Sequence, residues 1–370
     1  MSEEIETAPV RVGVVGVGKM GISHLAIVRA LEGVEIAGVV DATDYVLDIL
    51  AKYTGAATFS SLERMLDAAR PDAVVLATPT GSHAELVRTA LARGVHVFCE
   101  KPLTLSADES AELATHAAER GLIAQVGYHN RFIATFREVK RLLDCGAIGR
   151  VTHAQAEAYG PVVLKRKGST WRSRRNTGGG CLYDYAAHPL DLLNWYFGMP
   201  ARVRGSALGS IYSSDTDDEV YTTLDYPSDL NAQVSVNWSD ESYRKMSTSM
   251  TISGSHGRIV ADRQELRVYL REGPHVPDGY RAGWNVAYTT DLTQPVSFYL
   301  RGEEYTAQME SFIEAVRNRE TAARQNGFAG AAETDRVIEW ILQDAAGEHV
   351  ASSQPVAAAR RGMFGKRRTA

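Results

Sequence analysis

Hydrophobic and polar positions in the first third of the chain alternate between two kinds of segment. Residues 10–17 and 34–40 are nearly continuous apolar runs, the pattern of a parallel strand covered on both faces. Further strands are predicted at 57–59, 72–77, 95–99 and 122–126, and helices at 19–31, 44–53, 61–69, 82–93 and 107–120. Because strands separated by helices form parallel sheets, residues 1–127 are predicted to be an α/β domain with a doubly wound parallel sheet.

A different pattern begins after a predicted helix at 134–145. Runs in which apolar and polar residues alternate, typical of antiparallel strands with one covered face, lie at 151–159, 201–211, 219–226, 231–238, 247–253 and 258–261. Late helices are predicted at 304–319 and 330–345. Residues 128–356 are therefore predicted to form an α+β domain with a large, mainly antiparallel, open-faced sheet, and 357–370 a mobile basic tail.

Composition places the chain among ordinary globular proteins. Its 370 residues suit two domains, and 44% hydrophobic residues with a net charge of -5 predict no affinity for nucleic acid. Charged residues interrupt every apolar run before the roughly 18 residues that a membrane span needs. The acidic start lacks a signal-peptide pattern, so we expect a cytoplasmic protein with free thiols at Cys99, Cys145 and Cys181.

A glycine-rich turn follows the first predicted strand and opens the first predicted helix. Its sequence, GVGKMG, matches G-x-G-x-x-G. The first glycine permits the tight turn, the second lets the backbone approach a pyrophosphate, and the third allows close packing of helix and strand. Free N–H groups at the helix start attract phosphates. The predicted Rossmann dinucleotide site comprises Gly16, Gly18, Lys19, Met20 and Gly21.

Asp41 follows the second predicted strand, about 20 residues beyond the glycines. A carboxylate there can accept hydrogen bonds from both ribose hydroxyls, and its charge repels a 2′-phosphate. The sequence therefore predicts NAD rather than NADP as cofactor. The structural alternative, a glycine turn near a surface aspartate, does not account for strand, turn, helix, strand and acid in this order.

Two further stretches complete a family pattern. Residues 98–103 read FCEKPL at the end of the fifth predicted strand, and residues 178–191 read GGGCLYDYAAHPLD. With the glycine motif, the chain from about residue 10 to about residue 345 resembles the glucose-fructose oxidoreductase, inositol dehydrogenase and rhizopine catabolism (Gfo/Idh/MocA) family. The resemblance implies an oxidoreductase of sugars or cyclic polyols, assembled as a homodimer or homotetramer through the open sheet face.

The resemblance also implies a site between the two domains. Lys101 would lie beside the nicotinamide and the reacting hydroxyl, with Asp184 and His188 reaching the same carbon from the second domain. The chemistry agrees, because an ammonium stabilises an alkoxide and a histidine with a pKa near neutrality accepts its proton. Further cofactor-site candidates at the carboxyl ends of strands are Thr78, Pro79, His83 and Glu100. Positions that resemble the family's substrate pocket are Tyr128, Asn130, Arg131, Trp171 and Arg172.

Several alternatives stay open for these side chains. Lys101 alone reads as a surface lysine and His188 as a helix cap, and Asp184 either orients His188 or binds a substrate hydroxyl. Pro189 disfavours helical angles at the preceding residue, so a helix is predicted to begin at Pro189 after a loop. A metal site built from Asp184, His188 and Asp191 is the alternative to a site without metal, but none is predicted, because hydride transfer already accounts for the cluster. His24 is predicted to be a packing residue.

Three functions follow from this site. The leading one is an NAD-dependent dehydrogenase or reductase that acts on a secondary alcohol or ketone carbon of a sugar, sugar phosphate, nucleotide sugar or cyclic polyol. The others are a glycosidase that uses held NAD for transient oxidation and elimination, and a ligand-sensing regulator without catalysis. Lys101, Asp184 and His188 argue against the regulator.

Six cations lie within eleven residues, as Lys165-Arg166-Lys167 and in the segment 172–175. The plain interpretation is a solvated surface loop. The alternative is a lid that selects an anionic substrate, because arginine pairs bidentately with phosphate and carboxylate groups.

Overall fold

The computed structural model describes residues 8–166, 170–320 and 326–348. Six strands form the first sheet: β1 (Val10–Val15), β2 (Val34–Val40), β3 (Thr58–Phe59), β4 (Ala73–Leu76), β5 (His96–Cys99) and β6 (Ala124–Val126). They pair in the order β3-β2-β1-β4-β5-β6, and every neighbouring pair is parallel. The predicted doubly wound sheet is confirmed. Chain order reverses between β1 and β4, which opens a crevice for a ligand at the carboxyl ends of the strands.

Helices connect these strands: α1 (Lys19–Ala30), α2 (Asp44–Thr54), α3 (Leu62–Ala69), α4 (His83–Ala92) and α5 (Ala107–Glu119). Val12 and Val14 of β1 are fully buried, as expected for a strand covered on both faces. The side chain of Ser106 caps α5 by accepting a hydrogen bond from the Glu109 N–H.

The second sheet has eight strands: β7 (Val151–Tyr159), β8 (Arg202–Gly209), β9 (Glu219–Asp225), β10 (Asn231–Asn237), β11 (Ser247–Gly254), β12 (Gly257–Asp262), β13 (Glu265–Leu270) and β14 (Gly283–Tyr288). Their order is β14-β13-β12-β11-β7-β10-β9-β8. Only the central pair of β7 and β10 is parallel among these ladders, so the prediction of a mainly antiparallel sheet is confirmed. One face is covered and the other is open.

The remaining helices are α6 (Ala134–Asp144), α7 (Ala187–Phe197), α8 (Thr289–Leu292), α9 (Glu303–Asn318) and α10 (Phe328–Ala345). Helix α7 packs on β7, whose inward side chains Ala154, Ala156 and Ala158 are fully buried. Small residues there let the helix approach the sheet closely. Helix α9 shares the core of the first sheet through Met309 and Phe312. Helix α10 contacts both α5 and α7, so the late helices join the two sheets.

None of the helices in the described ranges is long and apolar enough to cross a membrane. The described residues also hold no group of three or more His, Cys, Asp or Glu side chains suited to a metal ion. The predicted tail at 357–370 lies outside the described residues, and so does Lys167.

Candidate active site between the two sheets

The turn between β1 and α1 has the geometry of a dinucleotide site. Gly16 has a φ of 85°, in the left-handed region that favours glycine. A Cβ on Gly21 would lie 1.7 Å from the carbonyl oxygen of Gly16, so no side chain fits between helix and strand. No described atom lies within 4 Å of a Cβ position on Gly18, and no side chain caps α1, whose first turn carries Lys19 and Met20. The exposed Gly18 and the uncapped helix start fit a pyrophosphate.

Asp41 lies against this turn. Its Oδ2 accepts a hydrogen bond from the Val17 N–H at 2.8 Å, and its Oδ1 accepts one from the Thr43 N–H at 2.9 Å. Carboxylate oxygens each carry two lone pairs, so both atoms keep the capacity to accept a ribose hydroxyl. Asp41 thus lies beside the glycine turn as predicted, and its contact with the ribose stays a prediction.

His83 ties together the loops that follow β4 and β5. Its buried ring places Nε2 2.9 Å from the carbonyl oxygen of Thr78 and Nδ1 3.0 Å from that of Pro102. Pro79 directly precedes the short 3-10 turn Thr80–Ser82, which connects β4 to α4. His83 is therefore a residue of the cofactor-side loops that fixes the turn carrying Lys101.

Lys101 and Asp184 meet across the interface of the two sheets. The Nζ of Lys101 lies 2.7 Å from Asp184 Oδ1 and 2.7 Å from the Asp184 carbonyl oxygen, while Arg172 Nε donates to Oδ2 at 3.1 Å. The Lys101 and Asp184 side chains are only 12% and 14% exposed. Burial raises the pKa of Asp184, but Lys101 and Arg172 outweigh it and hold the pKa below its ordinary value. The ionised carboxylate thus orients the Lys101 ammonium.

His188 is buried behind this pair. Its ring packs edge-on against His129 at 4.8 Å and Tyr128 at 6.4 Å between centroids. Its Nδ1 has no hydrogen-bond partner among the described residues. Burial, with the positive charge of Lys101, lowers the pKa of His188 well below its ordinary value. The prediction of a near-neutral pKa is wrong, because the burial of this ring comes from distant segments. His188 is neutral at pH 7 and able to accept a proton.

The backbone that carries Asp184 and His188 also differs from the prediction. Leu182–Ala186 form a π-helical turn that continues directly into α7. The predicted loop with a helix start at Pro189 is therefore wrong. A proline ring in an α-helix clashes with the carbonyl four residues earlier, and that carbonyl lies in the wider π turn, which gives the ring room. Asp184 and His188 thus occupy successive turns of one helical segment.

Three predicted pocket residues lie behind the site. Arg131 is buried and binds Asp191 bidentately, with Nε 2.8 Å from Oδ2 and Nη2 2.6 Å from Oδ1. Tyr128 and Asn130 are also buried. Arg131 joins the segment after β6 to α7, one turn beyond His188. Substrate contact by Tyr128, Asn130 or Arg131 stays a prediction.

The segment 170–180 connects this site to the cofactor-side loops. The Arg172 guanidinium lies 4.4 Å from the centroid of the Trp171 ring, which is 37% exposed. A Cβ on Gly178 would lie 2.7 Å from Thr80 Cβ, so the segment packs on the first domain. The Nη2 of Arg175 lies 3.7 Å from Asp217 Oδ1. Lys165 and Arg166 are exposed.

Two residues beside the site were missed or misjudged from the sequence. His24 is more than packing, because its Nε2 lies 2.6 Å from Glu100 Oε1. A polar residue on the apolar face of α1, with Gly21 and Val28, is a signal of a buried partner. His129 stacks on the Tyr305 ring at 4.7 Å, and burial lowers its pKa to about 3. We find no sequence signal that distinguishes His129.

Family models match most of the chain. Residues 10–128 match the model GFO_IDH_MocA, described as an oxidoreductase family with an NAD-binding Rossmann fold. Residues 136–260 match the model of the GFO/IDH/MocA C-terminal domain.

Curated relatives include enzymes of inositol and sugar metabolism. The scyllo-inositol 2-dehydrogenase (NADP(+)) IolW of Bacillus subtilis is 28% identical over 59% of this chain and 60% of its own length. Inositol 2-dehydrogenase 3 of Saccharopolyspora erythraea is 33% identical over 50% of this chain and 53% of its own length. The chain thus spans less than two thirds of these two relatives. The 2,7-anhydro-N-acetylneuraminate hydratase of Escherichia coli is 25% identical over 94% of each chain.

Among solved structures, levoglucosan dehydrogenase in complex with NADH and levoglucosan has a TM-score of 0.81 and 21% identity, over 94% of this chain and 100% of that chain. At this identity the likeness establishes the fold alone.

Proposed function

The chain belongs to the Gfo/Idh/MocA oxidoreductase family, and from this premise we propose that it is an NAD-dependent dehydrogenase or reductase acting on a CH-OH carbon of a sugar or cyclic polyol. The observation that carries the proposal is the ion pair of Lys101 and Asp184, at 2.7 Å, with His188 one helical turn away. A carboxylate-held ammonium next to a neutral, buried imidazole suits proton removal from an alcohol.

The proposed chemistry is divided among Lys101, Asp184 and His188. Bound NAD supplies the hydride acceptor when the substrate is oxidised. The Lys101 ammonium stabilises the developing alkoxide, and Asp184 holds that ammonium in place. His188 accepts the hydroxyl proton, since its ring is neutral in the free enzyme.

The direct test incubates the protein and NAD with a panel of hexoses, hexose phosphates, hexuronates and inositols while NADH absorbance is followed. We expect stoichiometric NADH formation with at least one class. A panel with no NADH formation and no substrate conversion would contradict the proposal.

A second candidate comes from the hydratase among the relatives, which covers 94% of this chain. Transient oxidation followed by addition or elimination, as in the glycosidase alternative, returns the cofactor to its starting state. Substrate conversion without net NADH formation in the same panel would favour this function.

We also propose a preference for NAD over NADP. It rests on Asp41, whose carboxylate lies at the glycine turn where the adenosine ribose is expected. The NADP-named relative means that the family alone does not decide the cofactor.

Replacing Asp41 with Ser is expected to weaken NAD binding roughly 10- to 100-fold, because hydrogen bonds to a charged group are lost. NADP binding should weaken less or improve, since the repulsion is removed. Fluorescence titration with NADH and NADPH measures both constants. Asp48→Ser, at an exposed position of α2, is the control. Tighter NADPH binding by the wild type would refute the preference.

The substrate is further proposed to carry an anionic group. Arg172 is held through Nε by Asp184 and lies over Trp171, which leaves its two terminal nitrogens on the edge that faces away from that bond. Lys101, Asp184 and Arg172 together carry a net charge of about +1 at this point. A carboxylate or phosphate on the sugar would complement it.

Arg172→Gln is expected to raise KM for a hexuronate or hexose phosphate about 10- to 100-fold more than for the neutral parent sugar. Loss of the contact between Arg172 and Asp184 changes KM for both substrates. The ratio of the two KM values therefore isolates the effect of the missing guanidinium on the anionic group. Arg166→Gln is the matched control in the exposed part of the cationic segment. Equal ratios for wild type and Arg172→Gln would return the segment to the plain interpretation of a solvated loop.

Assembly as a homodimer or homotetramer through the open sheet face is proposed as well. That face carries partly exposed Tyr269 and Trp284, in edge-to-face contact at 5.5 Å. Aromatic residues of this kind are enriched at interfaces. Sedimentation equilibrium at micromolar concentration measures the mass, and a monomer would contradict the proposal. A cytoplasmic location also stays a proposal, supported by the unpaired thiols.

A further inference from the structure

Helix α1, which begins at the glycine turn, reaches the carboxyl end of β5 through one buried contact. His24 is completely buried, and its Nε2 lies 2.6 Å from Oε1 of Glu100, 76 residues later in the chain. Its ring is held edge-on against Phe98 at 5.3 Å. Glu100 directly precedes Lys101 in the chain, so the contact lies one residue from the lysine of the site.

The donor and the acceptor of the hydrogen bond between His24 and Glu100 can be assigned. The Nδ1 of His24 is buried and has no hydrogen-bond partner among the described residues. A buried N–H without an acceptor costs more than a buried lone pair on the same ring, so the proton belongs on Nε2. His24 therefore donates from Nε2 to the Glu100 carboxylate.

Neighbouring backbone holds the Glu100 carboxylate in place. Its other oxygen, Oε2, accepts a hydrogen bond from the Lys101 N–H at 3.3 Å, and a Cβ on Gly127 would lie 3.2 Å from the carboxylate. Burial raises the pKa of Glu100, but His24 and Lys101 outweigh it and leave the pKa below its ordinary value. The titratable groups that face this carboxylate are His24, His83, Cys99, Lys101, His129 and Tyr305.

We propose that His24 is a positioning residue that holds the Glu100 carboxylate oriented next to Lys101, and so couples the cofactor-binding helix to the reacting centre. Glu100 then supplies a fixed negative charge that keeps the Lys101 turn in register, while His24 itself touches neither substrate nor cofactor. This role goes beyond the proposed dehydrogenase activity, on which its kinetic test rests.

The test compares full-length variants with NAD and the substrate found by the panel. His24→Phe keeps a planar ring but removes the donor. We expect kcat to fall about 10- to 100-fold, the loss that follows from displaced groups at a reacting centre. We also expect the loss of kcat that accompanies protonation of Glu100, on the acid side of the profile, to move to higher pH, because Glu100 loses the hydrogen bond that favours its charged form.

His24→Gln is the conservative variant, since its terminal amide places an N–H where Nε2 lies. It should keep most of the turnover and the wild-type pH profile. In a Glu100→Gln background, His24→Phe should change kcat by no more than about twofold, because the two residues act as one unit. Arg29→Gln, at an exposed position of α1, controls for changes in the helix.

Thermal unfolding of each variant separates folding from function. If His24→Phe does not fold, His24→Asn replaces it, because that amide coincides with Nδ1 and ends short of Glu100. A wild-type pH profile in His24→Phe or His24→Asn, or additive effects of the His24 and Glu100 changes, would overturn the role of His24. An inactive wild type would instead contradict the proposed function.

Discussion

Lys101→Met is expected to lower turnover by a factor on the order of 100–10,000 while NADH binding changes little. The methionine keeps the length of the side chain but removes the ammonium that lies 2.7 Å from Asp184 Oδ1. A neutral thioether does not stabilise an alkoxide, so the loss falls on the chemical step. Single-turnover absorbance at saturating substrate measures it, with NADH fluorescence for binding.

The Lys101→Met variant is expected to fold, and two further variants serve as controls. Arg172 still binds Asp184 in this variant, so the buried carboxylate is not left without a cation. The double variant Lys101→Met with Asp184→Asn removes both charges, and it should be no more active than the single variant. Lys52→Met, at an exposed position of α2, should behave as wild type. Wild-type turnover in a folded Lys101→Met protein would exclude Lys101 as a catalytic residue.

His188→Ala should also lower turnover about 100- to 10,000-fold, because it removes the neutral imidazole that is proposed to accept the hydroxyl proton. The same role predicts a pH profile. Since burial lowers the pKa of His188, the ring stays neutral as the pH falls through the ordinary histidine range. For alcohol oxidation, kcat/KM should therefore hold through pH 6.5 and fall only at lower pH, where the free enzyme protonates His188.

The profile is measured with NAD at saturation and with buffers that span pH 4.5–9. His116→Ala, on α5, provides a histidine change away from the site. An acidic limb centred on the ordinary histidine value, and absent from His188→Ala, would show that His188 titrates as an exposed imidazole and contradict its burial. Full turnover in a folded His188→Ala protein would refute the role itself.

Local patterns predicted the sheets well because the order of apolar and polar residues in a strand indicates which of its faces are covered. Apart from Arg11, the run of β1 is apolar, so it required helices on both faces. In β7 the alternation of Ala154, Ala156 and Ala158 with polar residues set one covered face. The helix α9 was found, but not its place in the core of the first sheet, since its amphipathic pattern does not name the surface that it covers.

At the site, residue types were predictable and their partners were not. Asp41 lies where the spacing placed it, because strand length and turn length fix that distance. The pairing of Arg131 with Asp191, 60 residues away, was not predicted, and contact of Arg131 with substrate stays a prediction. The preference of a single residue predicted a helix start at Pro189, whereas the helical segment begins before it, in the π turn of Leu182–Ala186.

The two sheet types, the glycine turn, the position of Asp41 and the family motifs could be predicted from local patterns, because each depends on residues close together in the chain. The pairing of Asp184 with Lys101, the neutral ring of His188 and the contact of His24 with Glu100 could not, because they arise when distant segments fold together. Charge state and hydrogen-bond partners depend on burial and on which distant groups come within about 3–4 Å, and no local pattern contains that information. Lys101 and Asp184 are 83 residues apart and meet only because two sheets fold around one cleft.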